Sequence, residues 1–199
     1  MKQFKYLFIS TILLFFFAGC AKRNFFPDAD DPGLSLLTSH GYNVASNYIN
    51  GQPYVNPFGF LSGNSLPFLE KILTNSAFDT LSLSWPIELN SSSQINNSMY
   101  QRISLLMPIP KSFTQNDFSS MSGTRLLNTN TVQIQSYFNS PSGVFSGTAN
   151  VYFVKIGSDI LNNSKYIKIS GLFDGNIGDS ILITKGRFDF EINADNLNF

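Results

Sequence analysis

Between Asp79 and Leu89 the chain alternates without a break. Leu81, Leu83, Trp85, Ile87 and Leu89 are apolar, and Thr80, Ser82, Ser84, Pro86 and Glu88 stand between them. A period of two fits a strand with one buried and one wet face, and a helix cannot hold that pattern on one side. Pro86 removes a ladder donor, which predicts an edge position or a bulge there. The alternation returns at Ile103, Leu105 and Met107, which Pro108 and Pro110 end, and again at Val132, Ile134 and Phe138. Val144–Ile156 is apolar on both faces near Val151–Val154, so it reads as a central strand. In Tyr166–Phe173, residues Ile167, Ile169, Gly171 and Phe173 share one side.

The last strand pair changes phase. Ile181 and Ile183 are odd-numbered, and Phe188, Phe190 and Ile192 are even-numbered. One extra residue between them keeps all five on one face, which predicts a β-bulge at Lys185-Gly186 with Gly186 taking φ > 0. A tight turn there is the alternative. Asp174-Gly175 and Gly178-Asp179 supply the preceding hairpin loop.

Helix signals are scarce. Ser65 is placed to cap a short helix, with Pro67 in its first turn and Leu66, Leu69, Ile72 and Leu73 on one side. Thr114 with Asp117 forms a second candidate capping box. Clusters such as Asn90–Ser93 and Asn162–Ser164 mark loops. The pattern predicts an all-β domain, an antiparallel β-sandwich or barrel-like fold of about seven or eight strands with one short helix.

Charged residues make up 13% of the chain, about half the usual ~25%, which excludes disorder for most of the length. The formal charge is zero, and without Lys2 and Lys5 there are 11 basic against 13 acidic residues, a net of −2. Nucleic acid is therefore not an expected partner, since phosphate contacts need clustered Lys and Arg.

Met1–Gly19 has a basic start, an apolar run over Leu7–Phe17, and small residues before Cys20. The run is too short to span a bilayer and reads as a signal peptide. Phe17-Ala18-Gly19-Cys20 resembles the bacterial lipobox, with Phe where Leu is commoner. The resemblance implies that the Cys20 thiol is lipidated with a diacylglycerol, that the leader is cleaved, and that the membrane is a partner through this anchor. Two or three acyl chains suffice for stable anchoring. An ordinary secretory signal with a chance cysteine is the alternative. Cys20 is the sole cysteine, so its acylation leaves the mature domain without a thiol or a disulfide. The expected organisation is a leader over residues 1–19, an acylated cysteine and tether over 20–38, and a single β-domain over 39–199. Asp28-Ala29-Asp30-Asp31-Pro32-Gly33, with three acids and two breakers, reads as solvated and flexible.

Candidate chemistry is thin, and no cofactor or enzymatic activity is expected. His40 is the one histidine, and a zinc site wants three or four ligands, so His40 reads as a solvated loop residue. Gly178-Asp179-Ser180-Ile181 resembles the Gly-Asp-Ser block of one esterase superfamily, but no histidine follows it to act as base. Gly63-Asn64-Ser65-Leu66-Pro67 fails the nucleophile-elbow pattern at its last position. Asp28, Asp30 and Gly33 match parts of a calcium loop, but Ser39 stands where a bidentate Glu is needed. Asp189 and Glu191 alternate with Phe188 and Phe190, so both acids are expected to face solvent. An acid pair for glycoside hydrolysis is the alternative reading of them.

Tyr48, Tyr54, Phe58 and Phe60 surround a loop rich in Asn, Gly and Pro, as does Tyr42. Rings that stack and amides that bond hydroxyls suit a glycan or a peptide, and closing one end of the fold is the alternative. Asp79-Thr80-Leu81 and Asp179-Ser180-Ile181 resemble the Asp-Ser/Thr-aliphatic site of Bacteroidota O-glycosylation, which makes Thr80 and Ser180 candidate acceptors. Chance is the other reading of so short a pattern.

Thr184-Lys185-Gly186-Arg187-Phe188-Asp189 resembles the Thr-x-Gly-x-Phe-Asp ending of small Bacteroidota lipoproteins of unknown function, and Asn50-Gly51-Gln52-Pro53 resembles their Asn-Gly-x-Pro segment. The resemblance implies an all-β domain on an outer-membrane anchor and supplies no catalytic residues. Ala21-Lys22-Arg23-Asn24 lacks the acidic tract tied to surface export in those bacteria, which favours a periplasm-facing domain. The expected function is a non-enzymatic envelope accessory that binds another protein, with a sheet edge such as Asp79–Leu89 accepting a partner strand. Glycan or peptide capture through the aromatic loop is the alternative.

Overall fold

The computed structural model describes residues 27–56, 66–89, 101–136, 143–161 and 164–193. Cys20 and its leader, Phe58, Phe60, the Gly63–Ser65 segment, Phe138 and the Asn90–Ser93 and 162–163 loop signals lie outside those residues. Nine strands form one antiparallel sheet: β1 (Val44–Ile49), β2 (Gln52–Val55), β3 (Phe68–Ile72), β4 (Phe78–Leu89), β5 (Gln101–Pro110), β6 (Arg125–Ser136), β7 (Gly143–Leu161), β8 (Ser164–Ile177) and β9 (Ile181–Asn193). The order is β2-β1-β9-β8-β7-β6-β5-β4-β3, and β2 also meets β4 at Tyr54–Leu89 and Val55–Glu88. The sheet therefore curls until β2 meets β4, an all-β, barrel-like fold as expected, with one short helix among the described residues and nine strands where seven or eight were expected, because the short β2 and β3 lie outside the alternating runs.

The inner face of the curl is the core. Leu81, Leu83, Trp85 and Ile87 of β4 are fully buried. The Trp85 ring lies 5.4 Å from Phe173, 5.8 Å from Phe188 and 5.3 Å from Phe190. The alternate face of β4 is not wet at its middle: Ser82 and Ser84 are also buried, and the Ser84 hydroxyl bonds that of Ser104 on β5. Pro86 breaks no register with β5, where it faces Arg102. It falls in the gap between the β3 pairing, which ends at Ser84, and the β2 pairing, which begins at Glu88. The missing donor thus sits where that side of β4 is locally an edge.

β7 lies between β6 and β8 and is central as expected. The Lys185-Gly186 bulge is present. Between Phe173–Gly186 and Gly175–Ile183, β9 advances three residues against two on β8, and it does the same against β1. The conformation is assigned differently from the expectation, since Lys185 takes the positive φ of 51°. Gly186 is needed for space: a Cβ there would lie 2.5 Å from two ring carbons of Phe173. The β8–β9 loop is Gly178-Asp179-Ser180, with Gly178 at φ 56°, and Asp174-Gly175 belongs to β8 instead of the loop.

Two helix expectations divide. The Thr114–Asp117 capping box opens helix α1 (Gln115–Ser120), whose buried Phe118 meets Phe153 edge-on at 6.0 Å. The helix expected after Ser65 does not form over the described residues there, because Phe68–Ile72 is β3. Only Leu69 of the four aligned apolar residues is buried, and the backbone pairs with β4 instead. The ladder offered by β4 overrides the local spacing.

Candidate functional site

The run expected to be a solvated tether is packed against the sheet. Residues 27–43 form a strap over the outer face of β9 and β1. Pro27 bridges Ser35, the Asp28 N–H donates to the Leu34 carbonyl at 2.9 Å, and Gly33 takes φ 87° to make the turn. Leu34 is fully buried beneath it, a contribution of about 1.5–3 kcal/mol. The reason the expectation fails is charge pairing at long range. The Arg187 guanidinium binds Asp28 and Asp31 and donates to the Ser35 carbonyl at 3.0 Å, while Lys185 also binds Asp31. Hydrogen bonding from the Asp30 N–H, then Arg187, holds the Asp28 carboxyl below its ordinary range, and Lys185, then Arg187, do the same to Asp31. Asp28 therefore serves a clamp and does not stand free for calcium.

Asp189 is the second anchor. Expected to face solvent, it is buried. Its carboxylate accepts from the Thr38 hydroxyl and from the backbone N–H groups of His40 at 3.1 Å, Gly41 at 2.8 Å and Tyr42 at 3.4 Å. The alternation was right about side, since Asp189 and Arg187 point away from the core, but the strap covers that side. Glu191 is half-buried and lies 3.5 Å from Lys168, so the two acids do not form an exposed pair. His40 is exposed and stacks on Tyr42 at 5.4 Å.

Tyr48 donates its hydroxyl to the Pro32 carbonyl at 2.9 Å, and Tyr54 packs on the core, where burial raises its phenol pKa. Both rings hold the fold at this point. Asn50 and Gly51, with φ 50° and 79°, form the two-residue β1–β2 turn, the Asn-Gly signal of a type I′ hairpin. The Asn50 amide donates to the Ser180 carbonyl at 2.9 Å and accepts from the Leu182 N–H at 2.8 Å. Ser180 is exposed on the β8–β9 turn, whereas Thr80 is half-buried in a ladder between Ile72 and Pro108.

Among the described residues, two surfaces are open. The first is at β3. Asp79–Leu89 was expected to offer an edge, but β4 is paired to β3 over Thr80–Ser84 and to β2 at its end. The sheet ends instead at β3, which has no second neighbour among the described strands. Leu66, Phe68, Ile72, Leu73 and Phe78 are all exposed around it, Leu73 by 76%. Phe68, Glu70 and Ile72 share the outward side, and Arg102 stacks over Phe68 at 4.7 Å. Lys71 turns the other way, donating to the carbonyls of Lys111 and Phe113 and lying 3.8 Å from buried Asp79. The period of two in Phe68, Glu70 and Ile72 was the available signal, hidden by the helical spacing of the leucines.

The second surface is a groove of about 480 Å³ on the outer face of β6–β9, walled on one side by Asp31 of the strap. A cross-strand row forms its floor: Arg125 faces Tyr152, Tyr152 faces Leu172, and Leu172 faces Arg187. A neighbouring hollow of about 540 Å³ shares Asn150, Asp174 and Lys185 with it. No single-strand signal marks this groove, because its residues come from four strands. No family model, curated protein or solved structure matches the chain.

Proposed function

We propose that this chain is a membrane-anchored cell-envelope lipoprotein whose β-domain is a non-enzymatic protein-binding module, taking an extended segment of its partner as an added strand on β3. The observation that carries this reading is the edge of β3, which has no second neighbour among the described strands, with its ring of exposed apolar side chains. Such an edge is a hazard unless it is used, and a chain under no such demand blunts it. The occupant is an extended peptide because the edge recognises backbone, and side chains on alternate positions add selectivity. Phe68, Glu70 and Ile72 on one side call for an apolar, basic, apolar sequence at every second position of the incoming strand. The anchor supports the same reading. If Cys20 is acylated, the chain from it to Pro27 reaches about 25 Å at most. The strap then mounts the domain close to the outer membrane, on its periplasmic side in our reading.

The test is crosslinking in living cells with a tagged full-length chain, followed by recovery from membranes. A stoichiometric envelope protein is expected, lost in Phe68→Ser/Ile72→Ser while the variant stays in the membrane fraction, and the whole complex leaves that fraction in Cys20→Ser. Equal recovery of the partner by the edge variant would overturn the assignment of β3.

A further inference from the structure

We infer that the groove between the strap and β6–β8 is a second binding site, for a glycan that carries a carboxylate. It is separate from β3 and stands or falls independently of it. Arg125 is exposed and makes no salt bridge among the described residues; its guanidinium lies over the Tyr152 ring, 5.7 Å from the centroid. Stacking on an aromatic ring holds a guanidinium flat and leaves its edge donors free for a planar, bidentate anion. The opposite wall already shows this chemistry satisfied from within the chain, where Arg187 and Lys185 hold Asp31. Arg125 ends the same row without such a partner among the described residues.

Away from Arg125 and from the Asp31 clamp, the groove is lined by hydrogen-bonding groups that suit hydroxyls. The Asn150 amide donates to Asp174 at 2.8 Å, and in the neighbouring hollow the Thr148 hydroxyl donates to Asn176 at 2.7 Å. Asp174 is exposed, and a carboxylate accepts at about four lone-pair positions, so it retains capacity for sugar hydroxyls. Arg125 and Asp174 lie two strands and two residues apart, roughly 12 Å by strand spacing and rise. A ligand spanning them must present an anion at one end and donors at the other. A sugar acid linked to a neutral sugar does so. An acidic peptide would place carboxylates against Asp174 and be repelled.

The test is gel retardation of the full-length protein in detergent by deacylated gellan, a polymer in which each sugar acid is flanked by neutral sugars, with dextran and polyglutamate as comparison polymers. Retardation by gellan alone is expected. Arg125→Gln should weaken it about tenfold, the loss of one charge-assisted hydrogen bond, and Asp174→Asn should weaken it too. Both side chains are exposed, so an unchanged thermal midpoint verifies that each variant is folded. No retardation by gellan would overturn the site, as would retardation indifferent to Arg125→Gln. Equal retardation by polyglutamate, unaffected by Asp174→Asn, would overturn the glycan assignment in favour of an acidic peptide.

Discussion

Arg187 on β9 grips Asp31 of the strap across 156 positions of sequence. The pair joins the segment next to the expected lipid anchor to the strand nearest the end of the described chain. Its acid arm depends on pH. Asp28 and Asp31 are both held below their ordinary value of 3.8. Their contribution is therefore complete above that value and is lost as pH falls through the depressed folded values. The protection factors of strap amides, corrected for the intrinsic slowing of exchange in acid, should fall below about pH 3.8 before those of the sheet core do. Asp28→Asn/Asp31→Asn should flatten that pH dependence and leave the strap more exchangeable at neutral pH. A strap equally protected at low and neutral pH would contradict the clamp.

Asp189 tests the other half of the strap. Asn in its place keeps one acceptor oxygen and brings an NH₂ toward backbone donors that now lack a partner. Leaving buried donors unsatisfied costs about 1–3 kcal/mol, and Asp189→Asn should lower stability by that amount in urea unfolding. Limited proteolysis should then cut within residues 36–42 first. If Asp189 instead served an exposed acid pair, the substitution would leave stability unchanged.

These anchors show what the sequence could and could not convey. The run Leu81, Leu83, Trp85, Ile87 announces its strand because burial there follows the backbone period. The phase change after Ile183 announces the bulge for the same reason. Which residue takes the left-handed conformation was not legible, because it depends on Phe173 lying against Gly186. The Asp28–Gly33 run looks solvated by composition, and only Arg187, brought over by the fold, turns its acids into ligands. The leucine spacing around Phe68–Ile72 signals a helix only locally, whereas the side of β4 that captures the segment is a product of the whole sheet. The groove row from Arg125 to Arg187 crosses four strands and leaves no trace in any one of them.

The bulge makes opposite demands at adjacent residues. Gly186→Ala would push a methyl group into the Phe173 ring and carbonyl, and overpacking of this kind costs about 1–3 kcal/mol. Lys185→Gly should relieve the positive φ of 51°, offsetting the loss of the exposed Asp31 ion pair, and leave stability nearly unchanged. Chemical denaturation of the two variants side by side checks the assignment. The reverse ranking would place the conformational demand at Gly186.

Asn47 gives the last prediction. It follows Ala45 and precedes Ile49, both packed in the core, so its side chain points inward. It is fully buried, and neither its amide nitrogen nor its oxygen has a hydrogen-bond partner among the described residues. Unpartnered buried polar atoms cost about 1–3 kcal/mol each site, whereas an apolar replacement of similar size costs less than about 1.5 kcal/mol in packing. Valine also suits a strand better than asparagine. Asn47→Val should therefore raise the urea midpoint, by a stability gain on the order of 1 kcal/mol, with an unchanged slope. A loss of stability would mean that the amide is satisfied in solution by a group drawn into the core.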